Sequence, residues 1–204
     1  MMKTFRFHIL VASLLALSGA SAAQAAPVAG DAAPPFSLVD SNGKTHSLSD
    51  FSGKIVVLEW INYGCPYVQK HYDSGNMQSL QRKFTDEGVV WLSICSSAPG
   101  KQGHLTPEAW NRSVGKYKSA PTAILIDESG EVGRSYGART TPQMGIIDPE
   151  GRIAYMGAID SEATTNQADI AKARNYVADA LNALLAGDPV PLKSSKPYGC
   201  SVKY

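Results

Sequence analysis

From Ile55 to Ile61 the chain reads IVVLEWI, β-branched and apolar apart from one glutamate. Such a run suits a strand covered on both faces, where neither set of alternating side chains meets water. Val89 to Ile94 (VVWLSI) and Ala123 to Ile126 repeat the pattern. Between these runs the apolar period changes. After Cys65-Pro66, residues Met77, Leu80 and Phe84 recur at helical spacing, and a proline suits the first helical position. Gly75-Asn76 marks a break or kink in that helix. Thr106-Pro107-Glu108 opens a second helix reaching Lys118, and Glu131 to Tyr136 predicts a short third. Met144–Ile147 and Ile153–Met156 flank Asp148-Pro149-Glu150-Gly151, the pattern of an antiparallel hairpin. Ile170, Val177, Leu181, Leu184 and Leu185 form the apolar stripe of a last helix that ends at Gly187.

Earlier in the chain, Phe36 to Val39 alternates and precedes the turn signal Asp40-Ser41-Asn42-Gly43-Lys44, predicting an N-terminal hairpin. Strands joined by helices come first and antiparallel strands last, so the fold class is α/β with a mixed central sheet. One domain spans residues 26–187. The tail, residues 188–204, is rich in Pro, Ser and Lys, has no periodic core face, and is expected to be mobile. No internal repeat is visible.

The first residues have a different character. Lys3 and Arg6 precede the apolar run Ile9–Leu17, and Ala23-Gln24-Ala25 offers small residues to a signal peptidase. Residues 1–25 therefore read as a cleaved secretory signal, the run being too short for a comfortable membrane span. This predicts a periplasmic or secreted protein with no membrane attachment after cleavage, and no cysteine is placed for a lipid anchor there. Lys and Arg total 19 against 18 Asp and Glu; a cut after Ala25 removes Lys3 and Arg6 and no acid, leaving a net charge of −1. With no basic stripe, nucleic acid is not an expected partner.

Cys65, Cys95 and Cys200 remain after the cut. In an oxidising compartment an odd number implies a thiol kept for a purpose or paired between chains, and an oligomer stays open. Cys65 follows the strongest strand and begins a helix. Unpaired amides of the first turn and the helix dipole lower a thiol's pKa there, and the thiolate is the nucleophile. The loop-like Asn62-Tyr63-Gly64 before it predicts partial exposure. His71 is on another face of that helix, and His46 and His104 fall in predicted loops; no ligand spacing calls for a metal or another cofactor. Trp60, Trp91 and Trp110 are expected in the core.

The element order, the segments EWINYGCPYVQKHY and TTPQMGIIDPEGRIAYMGAID, and the ending GCSVKY resemble the redoxin branch of the thioredoxin superfamily, more narrowly the peroxiredoxin-like alkyl hydroperoxide reductase/thiol-specific antioxidant family. The resemblance implies a thioredoxin-like three-layer sandwich and a thiol-based oxidoreductase. It makes Cys65 the attacking cysteine, with Val68 where thioredoxins carry their second cysteine. It makes Thr141-Pro142 the cis-proline loop that positions substrate. It makes Glu59, six residues before Cys65, a buried acid for proton transfer, against which stands an ion pair with a lysine such as Lys54. Asn62 and Leu58 stand where peroxiredoxins carry Thr and Pro, and Arg139 is not at the matching position of their Arg. The substrate is thus a disulfide or a peroxide, with an external thiol as reductant.

A resolving thiol must come from outside the local motif. Cys200 in the tail ranks above Cys95, which ends the neighbouring strand and also suits a small core position. A redox sensor and a metallochaperone on the same scaffold are the alternative readings.

Overall fold

The computed structural model describes residues 25–204. The signal segment and its cleavage site lie almost entirely outside the described residues. No described helix is long and apolar enough to cross a membrane.

The strands are β1 (Ser37–Asp40), β2 (Thr45–Ser47), β3 (Val56–Trp60), β4 (Val90–Cys95), β5 (Ala123–Ile126), β6 (Thr140–Thr141), β7 (Gln143–Ile147), β8 (Ile153–Gly157) and β9 (Cys200–Ser201). The helices are α1 (Pro66–Asp73), α2 (Asn76–Asp86), α3 (Pro107–Tyr117), α4 (Glu131–Ser135) and α5 (Tyr176–Ala186). Seven strands form one sheet in the order β2-β1-β5-β4-β3-β7-β8. The β3–β4 and β4–β5 pairs are parallel; the β1–β5, β3–β7 and β7–β8 pairs are antiparallel. The mixed sheet and the N-terminal β1–β2 hairpin are as the sequence predicts.

Period two along the central strands sorts their side chains into two cores. Val57 and Ile61, with Trp91 and Cys95, pack under α1, α2, α3 and α5. Val56, Leu58 and Trp60, with Leu92 and Ile94, pack on the opposite face with Val132 and Tyr136 of the α4 region and with Phe36. That makes three layers, and it explains why IVVLEWI alternates nothing: both faces are covered. All three tryptophans are fully buried.

The helix that follows Cys65 is interrupted between α1 and α2, at Ser74-Gly75, as expected. The final helix is shorter than its predicted stripe. Ile170 lies in a separate 3₁₀ turn (Gln167–Lys172), and α5 begins after the Asn175 side chain caps the Ala178 amide at 2.8 Å. His46 is in β2, not a loop; it is buried and 2.9 Å from Asp40.

The larger departure concerns the tail. Residues 188–204 pack against the domain instead of trailing from it. They run back across the sheet edge, with Ser194 bridging Met156 and β9 pairing with β6. Tyr198 and Tyr204 anchor this strap at its two ends through buried partners described below. A periodic core face is what a helix or long strand needs to dock. A short extended strap needs only backbone pairing and a few anchors, which periodicity does not reveal.

Candidate active site

The sheet topology brings the site together. The last residue of β3, Trp60, pairs with the first of β7, Gln143, because β7 runs antiparallel to β3. Residues that leave β3 and residues that enter β7 therefore meet at one sheet edge. Cys65 leaves the one, and Thr141-Pro142 enters the other. The Thr141–Pro142 peptide bond is cis. The Cys65 thiol donates to the Thr141 carbonyl at 2.9 Å.

Cys65 is the N-cap of α1, with Pro66 at the first helical position. Burial by itself raises a thiol's pKa. Here that is outweighed by the polar groups that face the sulfur, the Cys200 thiol first, then the Val68 and Cys200 amides and the Thr141 side chain, and the Cys65 pKa is lowered. Val68 belongs to the first turn of α1, but no first-turn amide makes a capping hydrogen bond to the Cys65 side chain. The Thr141 hydroxyl is buried and has no hydrogen-bond partner. The expectation of partial exposure is not met: Cys65 is 0% exposed, because the strap lies over it.

Cys200 arrives by backbone pairing. Thr141 and Cys200 are Cα partners in the antiparallel β6–β9 ladder, with Thr140 opposite Ser201. The three cysteines are free thiols, and Cys200 is the one not buried. Its pKa is pushed up to about 11, first by burial and then by the hydrogen bond to and charge of Cys65. The pair is thus asymmetric: one acidic thiol under cover, one weakly acidic thiol at the surface.

Cys95 lies elsewhere. It is 2% exposed, donates to the Gly103 carbonyl at 3.3 Å, and has its pKa raised by burial. It behaves as a small core residue closed over by the loop after β4.

Glu59 is fully buried, and among the described residues no lysine pairs with it. Its carboxylate accepts from Tyr72 Oη (2.7 Å), Trp91 Nε1 (2.8 Å), Ser93 Oγ (2.9 Å) and Gln81 Nε2 (3.1 Å). Desolvation outweighs these four donors and raises its pKa. None of the four is hydrogen-bonded to Cys65, so any proton passing between Glu59 and the sulfur needs a further carrier. The Lys54 ion pair is absent because Lys54 is exposed on the loop before β3.

The sequence did not mark out a second polar cluster, beneath the strap. The Tyr198 hydroxyl donates to Asp160 and lies 3.2 Å from His71 Nε2. Lys70 Nζ is 3.6 Å from the same carboxylate and donates to the Glu162 carbonyl at 2.7 Å. His71 and Lys70 are buried. Burial lowers the His71 pKa to about 4; Lys70 adds to this, while Asp160 opposes it. The one signal available was Tyr198 standing two residues before Cys200. The His71 ring hydrogen-bonds Tyr198 and Asn76 and not Cys65. Among the described residues no group of three His, Cys, Asp or Glu side chains is placed to hold a metal ion.

Comparison with known proteins agrees with this geometry. The chain is 28% identical over 138 residues to the thiol-disulfide oxidoreductase ResA of Bacillus thuringiensis subsp. konkukian, covering 68% of this chain and 73% of that one. A crystal structure of an uncharacterized conserved protein from Geobacillus kaustophilus matches 87% of this chain and 92% of its own, at 29% identity and a TM-score of 0.72. A hypothetical protein from Sinorhizobium meliloti 1021 shares the fold over 89% of this chain and 96% of its own, with a TM-score of 0.73 at 23% identity. The thioredoxin-like architecture is therefore shown. The model of the AhpC/TSA family matches residues 29–156. That span includes Cys65, Cys95 and Thr141-Pro142 but not the Cys200 strap, and the chain belongs to the AhpC/TSA family.

Proposed function

We propose that the protein is a thiol-disulfide oxidoreductase in which Cys65 attacks and Cys200 resolves. The observation that carries this reading is the pairing of Cys200 with Thr141, whose carbonyl accepts from the Cys65 thiol, so that one residue's backbone joins both cysteines.

The Cys65 thiolate attacks one sulfur of a substrate disulfide. A Cys65–substrate disulfide forms, the old S–S bond breaks, and the released sulfur leaves as a thiolate that takes a proton from water. While Cys65 carries its charge, Cys200 stays protonated and donates to it. Once the Cys65 sulfur is bonded, that charge is gone and with it one cause of the raised Cys200 pKa. Cys200 then ionises and attacks Cys65 Sγ. The second substrate sulfur leaves, and two electrons have passed from the chain to the substrate. An external dithiol reverses the cycle. It meets Cys200 first, and Cys65, the more acidic thiol, is the better leaving group.

Disulfide is favoured over peroxide by the groups around the sulfur. They are thiol, amide and hydroxyl, with no guanidinium among them. Asn62 ties its own loop to the one after β4, its carbonyl accepting from the Gly64 amide at 2.8 Å and its amide donating to the Gln102 carbonyl at 3.4 Å. The curated relatives bear the same activity in their names. The leader-like first 25 residues support work outside the cytoplasm, where such a pair would cycle.

Trapping tests the reading. With a small aromatic disulfide, Cys200→Ser should stop at a stable mixed disulfide on Cys65, while Cys65→Ser should not react. Equal reaction of Cys65→Ser and the parent chain would overturn it.

A further inference from the structure

Cys65 cannot meet a protein disulfide while the strap is seated, because it has no exposed surface. Cys200 is accessible, but its pKa of about 11 makes it a poor nucleophile near neutral pH. The acidic sulfur and the accessible sulfur are different atoms, so attack requires the strap to give up its place.

That place is built as a peptide seat. Among the described residues β6 has no strand partner other than β9. Beyond the two-residue ladder, the Val202 amide donates to the Arg139 carbonyl at 3.0 Å, and the Lys203 carbonyl accepts from the Ala98 amide at 2.8 Å. Backbone groups of the domain thus receive an extended segment over four consecutive residues, the mode of recognition by strand addition. Three side-chain requirements are legible in the segment now seated. Gly199 has φ +140, and a Cβ there would be driven into the Thr141 carbonyl oxygen, so only glycine fits before the cysteine. Tyr198, two residues before the cysteine, reaches the buried Asp160 and His71. Tyr204, four residues after it, lies against Gly133, where any side chain would collide with the ring, under Arg134 at 4.3 Å; its hydroxyl donates to the Ala138 carbonyl at 2.7 Å. Tyrosines closing both ends of a short contact are the anchors expected of a recognition surface.

We propose that residues 198–204 are a built-in mimic of the substrate, and that the seat takes an extended cysteine-bearing segment of another protein with glycine before its cysteine and tyrosine two residues before and four after. The inference rests on the oxidoreductase reading and names the substrate class of the same site. Substrate and strap use the seat in turn: the substrate cysteine sits where Cys200 sat during attack, and Cys200 returns to resolve.

The test uses the full chain carrying Cys200→Ser and a synthetic peptide of the sequence Pro-Tyr-Gly-Cys-Ser-Val-Lys-Tyr, its cysteine joined to thionitrobenzoate. Attack by Cys65 on the peptide sulfur forms the protein–peptide disulfide and releases coloured thionitrobenzoate. At limiting peptide the rate should be at least about tenfold higher than with peptides carrying Ala for the glycine or for the last tyrosine. Equal rates for the three peptides, with a small aromatic disulfide still attacked, would overturn the substrate assignment and leave the oxidoreductase reading standing. No attack on the small disulfide either would overturn both. Because the protein is the same in every arm, a folding defect cannot produce the peptide ranking.

Discussion

At Cys65 two opposed effects meet: burial, which favours the thiol, and donors aimed at the sulfur, which favour the thiolate. The Cys200 thiol comes first among those donors. Cys200→Ala should therefore move the midpoint of the Cys65 alkylation profile to higher pH, measured by mass spectrometry of the Cys65 peptide across a pH series. An unchanged midpoint would mean that the Val68 amide and Thr141 suffice. Glu59 offers a second residue-scale test. Its folded pKa is raised, so it supports the fold at low pH and that support is lost as pH rises through the folded value. Glu59→Gln keeps a carbonyl for Trp91, Ser93 and Gln81 and turns its amide toward Tyr72. Its melting temperature should gain on the parent's as pH is raised from about 5 to about 8. A parallel pair of curves would show that the carboxyl does not titrate with folding. The sequence carried both of these residues: a lone glutamate in an apolar strand and a cysteine at a helix mouth are exceptions to their surroundings. It did not carry the donors of Glu59, since Tyr72, Gln81, Trp91 and Ser93 are separate in the chain and ordinary where they stand. Nor did it carry the burial of Cys65, which is caused by residues more than a hundred positions away.

Among the elements, β3, β4, β5, β7, β8 and the helices between them were legible because each has a period that burial on one or two faces imposes, whereas the two-residue β6 has none. The strap was not. Its two-residue strand has no period, and its Pro, Ser and Lys read as solvent-exposed linker. What holds it is backbone pairing plus Tyr198 and Tyr204, and each can be probed. Gly199→Ala should unseat β9, at a cost of about 1–3 kcal/mol for a side chain in that backbone region. The expected result is faster alkylation of Cys65 with little change in the melting of the central sheet; unchanged alkylation would mean that the strap does not shield the sulfur. The Tyr198 end also has a pH signature. His71 has a folded pKa of about 4 against an ordinary 6.5, so it binds fewer protons folded than unfolded between those values. The stability it lends is complete above the ordinary value and is lost as pH falls toward the folded one. His71→Gln should flatten the loss of melting temperature over that interval, and an identical acid limb would place the cause elsewhere.

For the molecule as a whole, one sheet edge gathers what three distant segments supply: the reactive sulfur after β3, the cis-proline turn before β7, and the second sulfur in the last residues described. The family match reaches the first two and stops short of the third. The scaffold is thus shared with the family, and on the proposed reading the strap supplies the resolving thiol that the Val68 position lacks. The central claim is that Cys65 and Cys200 form the working pair while Cys95 stays in the core. Peptide mapping of the oxidised protein under non-reducing conditions tests it most directly. A Cys65–Cys200 disulfide with Cys95 recovered as a free thiol is the predicted result; a disulfide that includes Cys95, or Cys65 left unlinked, would contradict it.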